Sequence, residues 1–183
     1  GIGRTGGARP RASVEVMLEP SLDLYGAAHK RVEARLTDLL DRSRGRYALV
    51  VDRKGFVLLH VRAWWAPKPP SLDSLATLVA SNHSAQAAIA KLFGDDGFRE
   101  IVHQGSDVGT YVEELGPDAL LLIVFDHRAG LGRIKVHAQK AAHDVREELA
   151  GLREAGTPEL ELDEHWSEST EKLLDGLFGP RDA

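Results

Sequence analysis

Seven consecutive apolar residues at positions 119–125 limit the possible folds more than any other part of the chain. A strand that is apolar at every position must be covered on both faces, unlike a strand whose apolar and polar residues alternate. The run is much shorter than the ~20 apolar residues that a membrane-spanning helix needs. We therefore expect it to form the central strand of a sheet that carries helices on both faces.

The rest of the chain predicts an alternating set of helices and strands. Apolar residues at helical spacing predict helices over 27–43, 71–93 and 131–154, and strand-like segments occur at 47–52, 56–62, 100–104, 108–115 and 119–126. Short polar turns that contain glycine connect the strands of each group, which favours antiparallel pairing. The predicted fold class is α+β, a five-stranded antiparallel sheet with helices on both faces, in the order α-β-β-α-β-β-β-α.

We expect one domain with an extension at each end. Residues 1–16 are rich in glycine and arginine without periodicity, which predicts a disordered leader before a domain at 17–155. A Gly-Thr-Pro break at 156–158 starts a tail, 156–183, in which a short helix is predicted over 168–178.

Composition restricts the function. The net charge of −5 argues against a nucleic-acid partner, which requires a basic surface. The absence of cysteine excludes disulfides, thiolate catalysis and cysteine-ligated zinc. We expect a cytoplasmic protein without a membrane contact, because no long apolar segment occurs.

The predicted central helix, 71–93, has two different apolar faces. Large residues gather on one side and predict the face that packs on the sheet: Leu75, Leu78, Val79, Asn82, Gln86, Ile89, Leu92 and Phe93. Small residues gather on the opposite side and predict a docking face for another molecule: Ala76, Ala80, His83, Ser84 and Ala87. Short side chains in such a place let a second backbone approach closely.

A buried role for the small face is the alternative. If the face is accessible, Ala80→Arg should abolish partner binding and leave the fold intact, whereas unfolding or aggregation would place the face in the core. His83 on an accessible face would make partner binding sensitive to pH.

The sequence nominates no catalytic, cofactor-binding or metal-binding residues. His137 and His143 share a helix but are six positions apart, so they lack the i, i+4 spacing of a metal site. The glycine pattern at 1–6 lacks the preceding strand that a dinucleotide site requires. Arg53, Arg62, Arg99 and Arg133 remain open as arginine fingers that act on a partner enzyme.

Several short strings resemble the Roadblock family of dynein light chains and small-GTPase regulators, and within it the bacterial gliding-motility regulators. They include DRKGFVL at 52–58 and WAPKPP at 65–70, and further strings lie at 19–21, 24–26, 46–49, 72–73, 75–80, 102–105 and 124–126. The resemblance extends over roughly residues 17–178. Its specificity comes from the order of the strings more than from any single one.

The resemblance implies a homodimer with adjacent central helices and sheets joined edge to edge. It implies a Ras-like small GTPase as partner, bound in its GTP state, whose hydrolysis is accelerated without an arginine finger. The GTPase-contacting positions of the family correspond to Ala80 and Ser84 here. A second GTPase contact is implied for the C-terminal segment, at Lys172, Leu173, Leu174, Leu177 and Phe178.

The sequence therefore predicts a GTPase-activating regulator of cell polarity or motility with no catalytic site and no cofactor of its own. The alternative is a non-activating scaffold of the same fold that tethers a GTPase or another subunit. An enzymatic or small-ligand-binding role has little support from the residues.

Overall fold

A computed structural model describes residues 22–155, which form one sheet and three helices. The elements are α1 (Gly26–Ser43), β1 (Tyr47–Asp52), β2 (Val57–Arg62), α2 (Leu72–Leu92), β3 (Glu100–Gln104), β4 (Val108–Glu114), β5 (Ala119–Asp126) and α3 (Leu131–Ala155). This order confirms the predicted fold class and the predicted succession of helices and strands.

The sheet has the strand order β2-β1-β5-β4-β3, and every neighbouring pair is antiparallel. β5 is the central strand, and all seven apolar residues of its run are buried. Because a strand with apolar residues on both faces needs cover on both, this position was predictable from the sequence. The two edge strands are β2 and β3.

The helices cover opposite faces. Successive strand residues point to opposite sides of a sheet, and two neighbours in β4 show which helix lies on which side. Glu113 pairs with Arg146 of α3, whereas Glu114 pairs with His83 of α2. α1 packs beside α3, and Arg31 forms a 2.8 Å ion pair with Glu148 between them. The core therefore consists of two layers, α1 and α3 on one side of the sheet and α2 on the other.

The turn between β1 and β2 lies against α2. The buried Asp52 carboxylate accepts hydrogen bonds from the N–H groups of Lys54 and Phe56, at 2.8 and 3.0 Å, which fixes the turn. Gly55 has φ +94° and lies so close to α2 that a Cβ atom would be 2.9 Å from Thr77 Cα. Only glycine meets both requirements without strain.

Candidate docking surface on the central helix

α2 begins with a side-chain cap and lies across the sheet. The Ser71 hydroxyl accepts a hydrogen bond from the N–H of Ser74 at 3.3 Å, which satisfies one of the unpaired donors of the first turn. The buried residues of α2 are three alanines and one histidine, which lie along one side of the helix: Ala76, Ala80, His83 and Ala90. α2 therefore approaches the sheet through its short side chains, with Leu75 and Val79 half-buried against the core beside them.

The orientation that the sequence predicted for this helix is wrong for most of its large apolar residues. All of them were expected on the sheet. Leu75 and Val79 do pack against the core, yet Leu78 is 67% exposed, Leu92 83% and Phe93 82%. Both faces of the helix are apolar, so hydrophobic periodicity alone could not decide between them. Close helix–sheet packing decides it, because alanines let α2 approach the sheet more closely than leucine and phenylalanine would allow.

The predicted docking residues are divided by this orientation. Ala76, Ala80 and His83 are buried against the sheet of their own subunit, so they are not available to a partner in this arrangement. Ala87 is half-buried, and Ser84 is exposed. Ser84 thus remains a candidate for a partner contact, and the expected accessibility of the other three is corrected.

A second line of small residues is exposed on α2, and Ser84 is the only one of them that the sequence predicted as a docking residue. Thr77, Ser81, Ser84 and Ala88 follow one another at steps of four, three and four positions. This spacing places them along one side of a helix. We call these four residues the small strip. This spacing is visible in the sequence. The buried residues Ala76, Ala80 and His83 have the same spacing, however, because each directly precedes a member of the small strip.

An apolar groove borders the other side of α2. It has a volume of about 320 Å³ and lies between α2 and the part of the sheet formed by β3 and β4. Its lining consists of Leu75, Leu78, Val79, Asn82, Ile101, His103, Thr110 and Val112. The groove is continuous with exposed leucine on α2 and ends at the sheet edge formed by β3. Exposed apolar surface of this kind is typical of a protein–protein contact.

A polar cluster fixes α2 to the ends of the strands. Arg53 donates from Nη1 to His83 Nδ1 at 2.9 Å and from Nη2 to the carbonyl oxygen of Gly116 at 2.9 Å. His83 Nε2 and Arg53 Nη2 lie 2.8 and 3.1 Å from the same oxygen of Glu114. This geometry suits a neutral imidazole that accepts at Nδ1 and donates from Nε2.

The electrostatic surroundings agree with a neutral His83. Burial, followed by the positive charge of Arg53, lowers the pKa of His83 below its usual value, and Glu114 opposes the shift less strongly. Protonation would place a second positive charge beside Arg53 and remove the acceptor at Nδ1. The cluster is thus a structural connection between α2 and two turns, at one end of the candidate surface.

A second polar cluster lies on the opposite face of the sheet. The Tyr111 hydroxyl is 3.0 Å from Glu100 Oε2 and 2.8 Å from Glu113 Oε2. Lys135 and Arg146 of α3 pair with these two carboxylates. Burial and the neighbouring carboxylates raise the pKa of Tyr111, and the hydrogen bond from Lys135 lowers the pKa of Glu100. The cluster connects α3 to β3 and β4, and each of its carboxylates is paired with a cation.

The described residues contain no group of three or more His, Asp or Glu side chains arranged to hold a metal ion. Within the same part of the chain, no helix has both the length and the apolar composition required to cross a bilayer. Lys172, Leu173, Leu174, Leu177 and Phe178, the predicted C-terminal contact, lie outside the described residues, as do the predicted leader and tail.

Comparison with known proteins places this fold in a family. The Roadblock/LC7 domain model matches residues 33–125. A solved MglB with a tetrameric arrangement is 52% identical, with a TM-score of 0.72, and the match covers 73% of this chain and 98% of that one. This chain belongs to the Roadblock/LC7 family. The resemblance inferred from the short strings is thereby confirmed.

Two further solved MglB structures are similar to this chain. The gliding protein MglB from Thermus thermophilus is 50% identical, with a TM-score of 0.72, over 74% of this chain and 100% of that one. MglB from Myxococcus xanthus has 24% identity and a TM-score of 0.62, over 67% of this chain and 97% of that one, and shows the shared fold. Comparison with curated protein sequences gives no match. The chain is therefore an MglB-like Roadblock protein.

Proposed function

We propose that this Roadblock protein acts as a homodimer that binds a Ras-like small GTPase of the MglA type in its GTP state and accelerates GTP hydrolysis. Its role would be the control of cell polarity or motility, in keeping with its 52% and 50% identity to MglB proteins. The observation that carries the proposal is the surface of α2, which exposes large apolar residues and the small strip on different sides of one helix.

The large apolar residues and the groove form the homodimer contact in this proposal. Leu78 is 67% exposed at the rim of the groove, and the β3 edge has no neighbouring strand on its outer side among the described residues. A second copy that placed its own α2 beside this one would fill the groove and cover leucine and isoleucine on both copies. Burial of apolar surface contributes about 25 cal/mol per Å², so covering these side chains stabilises the dimer.

The small strip forms the GTPase contact. Thr77, Ser81, Ser84 and Ala88 present hydroxyl and methyl groups only, so a switch segment of the partner can approach the backbone of α2. Ser84 is the residue that the resemblance and the exposed surface have in common. Ala80, its companion in the resemblance, instead packs under the helix.

The contribution to catalysis is conformational. Arg53 is held by His83, Glu114 and the carbonyl oxygen of Gly116, so inserting it into a partner would cost three polar contacts. Positioning of the partner's own water-orienting and charge-stabilising groups lowers the barrier without a new charge. Arg62, Arg99 and Arg133 are exposed, and Arg→Ala variants would test them as fingers. Loss of hydrolysis with retained binding in one of them would overturn this mechanism.

A non-activating scaffold is the second candidate function. One observation favours it: the small strip carries no charged side chain that could stabilise a developing negative charge. A scaffold would bind the GTPase with the same surface and leave its hydrolysis rate unchanged.

Single-turnover GTP hydrolysis by a co-encoded Ras-like GTPase, with and without this protein, tests the proposal. We expect acceleration, a complex of two copies with one GTPase, and a preference for the GTP state. Co-elution without acceleration would favour the scaffold. No complex in either nucleotide state would overturn the regulator and the GTPase-binding scaffold, and would leave only a scaffold for another subunit.

Two variants separate the contacts. Ser84→Arg should abolish complex formation and leave the homodimer intact, whereas Leu78→Glu should yield monomers. Ala34→Arg, at an exposed position of α1, is the matched control and should change neither property. If Ser84→Arg retains the complex, the small strip does not bind the GTPase.

A further inference from the structure

The end of the molecule where β1 begins and β5 ends combines arginines with exposed tryptophans. A cavity of about 320 Å³ is lined by Arg44, Trp65, Asp126, Arg128 and Ala129. Trp65 is 40% exposed, and its neighbour Trp64 is 88% exposed. We call Arg44, Trp64, Trp65 and Arg128 the basic patch.

The cations of the basic patch are available to a ligand. Among the residues that line the cavity, Asp126 carries the one carboxylate, and this carboxylate pairs with Arg46 at 3.5 Å. Within residues 22–155, the side chains of Arg44 and Arg128 make no ion pair with another residue. Arg46 Nε is buried and has no hydrogen-bond partner in the described part of the chain. The patch thus presents at least two uncompensated positive charges next to indole rings, which suits a carboxylate-rich and partly apolar ligand.

The chain itself contains such a ligand. Residues 159–171 include six Asp or Glu residues and no lysine or arginine. Leu160, Leu162 and Trp166 are interspersed among them. Residues 156–183 as a whole contain eight acidic and two basic residues, whereas the net charge of the entire chain is −5. The negative charge of this protein is therefore concentrated in the segment that follows α3.

The length of the chain allows the contact. α3 begins beside the basic patch at Leu131 and ends at Ala155, a distance of about 37 Å for 25 residues. Thirteen extended residues span about 43 Å, so a chain that runs back along α3 from Ala155 reaches the patch near position 168. Because the segment is tethered, its effective concentration at the patch is high, and individually weak ion pairs suffice.

We propose that the part of this acidic segment that is long enough to reach the basic patch, residues 166–171, binds the patch of the same chain, with the carboxylates of Glu168 and Glu171 on Arg44 and Arg128 and the ring of Trp166 on Trp64 and Trp65. This contact does not depend on the proposed GTPase function. It would hold the segment 172–178, the expected C-terminal contact for a GTPase, at the end of the molecule where α3 begins.

The absence of cysteine from the 183 residues makes a direct test by site-specific labelling possible. A nitroxide attached at Ser167→Cys broadens nearby resonances, so the indole N–H signal of Trp65 should lose more than half of its intensity relative to the reduced label. Raising the salt concentration should restore the signal, since ion pairs at a surface are screened.

Charge exchange tests the specific pairing. Arg44→Asp with Arg128→Glu should restore the Trp65 signal, and Asp is suited to the positive φ at position 44. Replacing Glu168 and Glu171 with lysine should do the same, and combining both sets should return the broadening. Lys91→Glu with Arg99→Glu, an equal change of charge at exposed positions elsewhere, is the matched control and should leave the broadening unchanged.

Three results would overturn the proposal. The first is an unaffected Trp65 signal, which would leave the patch to another partner. The second is broadening that survives charge reversal of the patch in a variant whose spectrum shows the native fold. The third is equal broadening when labelled chains act on isotope-enriched, unlabelled ones, because the segment would then come from a neighbouring molecule. A GTPase that fails to bind would leave all three readouts unchanged.

Discussion

His83 Nε2 lies 2.8 Å from Glu114 Oε1, so a buried histidine of α2 is joined to the end of β4. The same histidine accepts a hydrogen bond from Arg53 at its other nitrogen. The connection depends on a neutral imidazole, since both nitrogens of a protonated one are donors. Proton uptake at His83 therefore opposes the contacts that hold α2 on the sheet.

The stability of this protein should fall as the pH decreases below the usual histidine pKa of 6.5. The pKa of His83 is lowered in the folded state, so the unfolded chain binds more protons in that range, and the free energy of unfolding increases with pH. The contribution of the neutral His83 to the free energy of unfolding is fully present above pH 6.5 and is lost as the pH falls through its folded-state pKa. Urea unfolding at a series of pH values, at constant protein concentration, measures it.

His83→Gln is the control for this dependence. Glutamine can accept from Arg53 and donate to Glu114 but does not titrate, so the slope between about pH 5 and 7 should decrease by at most one proton per chain. An unchanged slope in this variant would assign the effect to other histidines.

Arginine substitutions at two positions of α2 should have opposite consequences. Ala80→Arg places a guanidinium between α2 and the sheet, where Ala80 is only 6% exposed, and should cost at least about 3 kcal/mol of unfolding free energy. Ser84→Arg extends into solvent and should change that free energy by less than about 0.5 kcal/mol. Chemical denaturation of both variants checks the orientation of the helix. A stable Ala80→Arg variant would contradict it.

Gly109 in β4 lies beneath a buried ring of β5. A Cβ atom at this position would be 2.5 Å from Phe125 Cζ, and Phe125 is only 2% exposed. Gly109→Ala should therefore destabilise the fold by about 1–3 kcal/mol through overpacking. Phe125→Leu in the same chain should recover part of the loss, which thermal unfolding would show.

Gly151 provides the comparison for this substitution. A Cβ atom there meets nothing within 4 Å, and the position is inside α3. Gly151→Ala should stabilise the protein by about 0.5–1 kcal/mol through helix propensity alone. Equal effects of the two substitutions would argue against steric contact at Gly109.

Replacing Arg146 should show how strongly the stability of the fold depends on the ion pair between Arg146 and the buried Glu113. Arg146 Nη2 lies 2.6 Å from Glu113 Oε1, and Glu113 is 8% exposed. Arg146→Met leaves a buried carboxylate without its cation and should cost more than about 1.5 kcal/mol. Glu113→Gln in addition should reduce this loss, and a double-mutant cycle by urea unfolding measures the coupling. Arg42→Ala breaks a pair with the exposed Asp38 and should leave the midpoint unchanged.

The sequence was sufficient for the fold because its strongest patterns were unambiguous. The apolar run at 119–125 is bounded by turns and is short, which favours a central strand, and the glycine-containing turns on either side of β4 imply antiparallel neighbours. The cap at Ser71 was likewise predictable, since it depends on residues three positions apart. Features that are determined by neighbouring residues in the chain could thus be predicted from the sequence.

The orientation of α2 was not readable, because both of its sides satisfy the requirement for an apolar face. The choice depends on how closely the helix can approach β1 and β2, which periodicity does not report. The partners of His83 were hidden for a similar reason, since Arg53 and Glu114 are 30 and 31 positions away in the chain. A site built from distant turns becomes visible only after the fold is known.

A helix that buries its alanines and displays leucine and phenylalanine carries a thermodynamic cost whenever it stands alone in water. Any molecule that covers this surface adds its own binding free energy to the unfolding free energy of the chain. If α2 joins two copies, the melting temperature of this protein will rise with its concentration, so a dilution series would report on association before any partner has been identified.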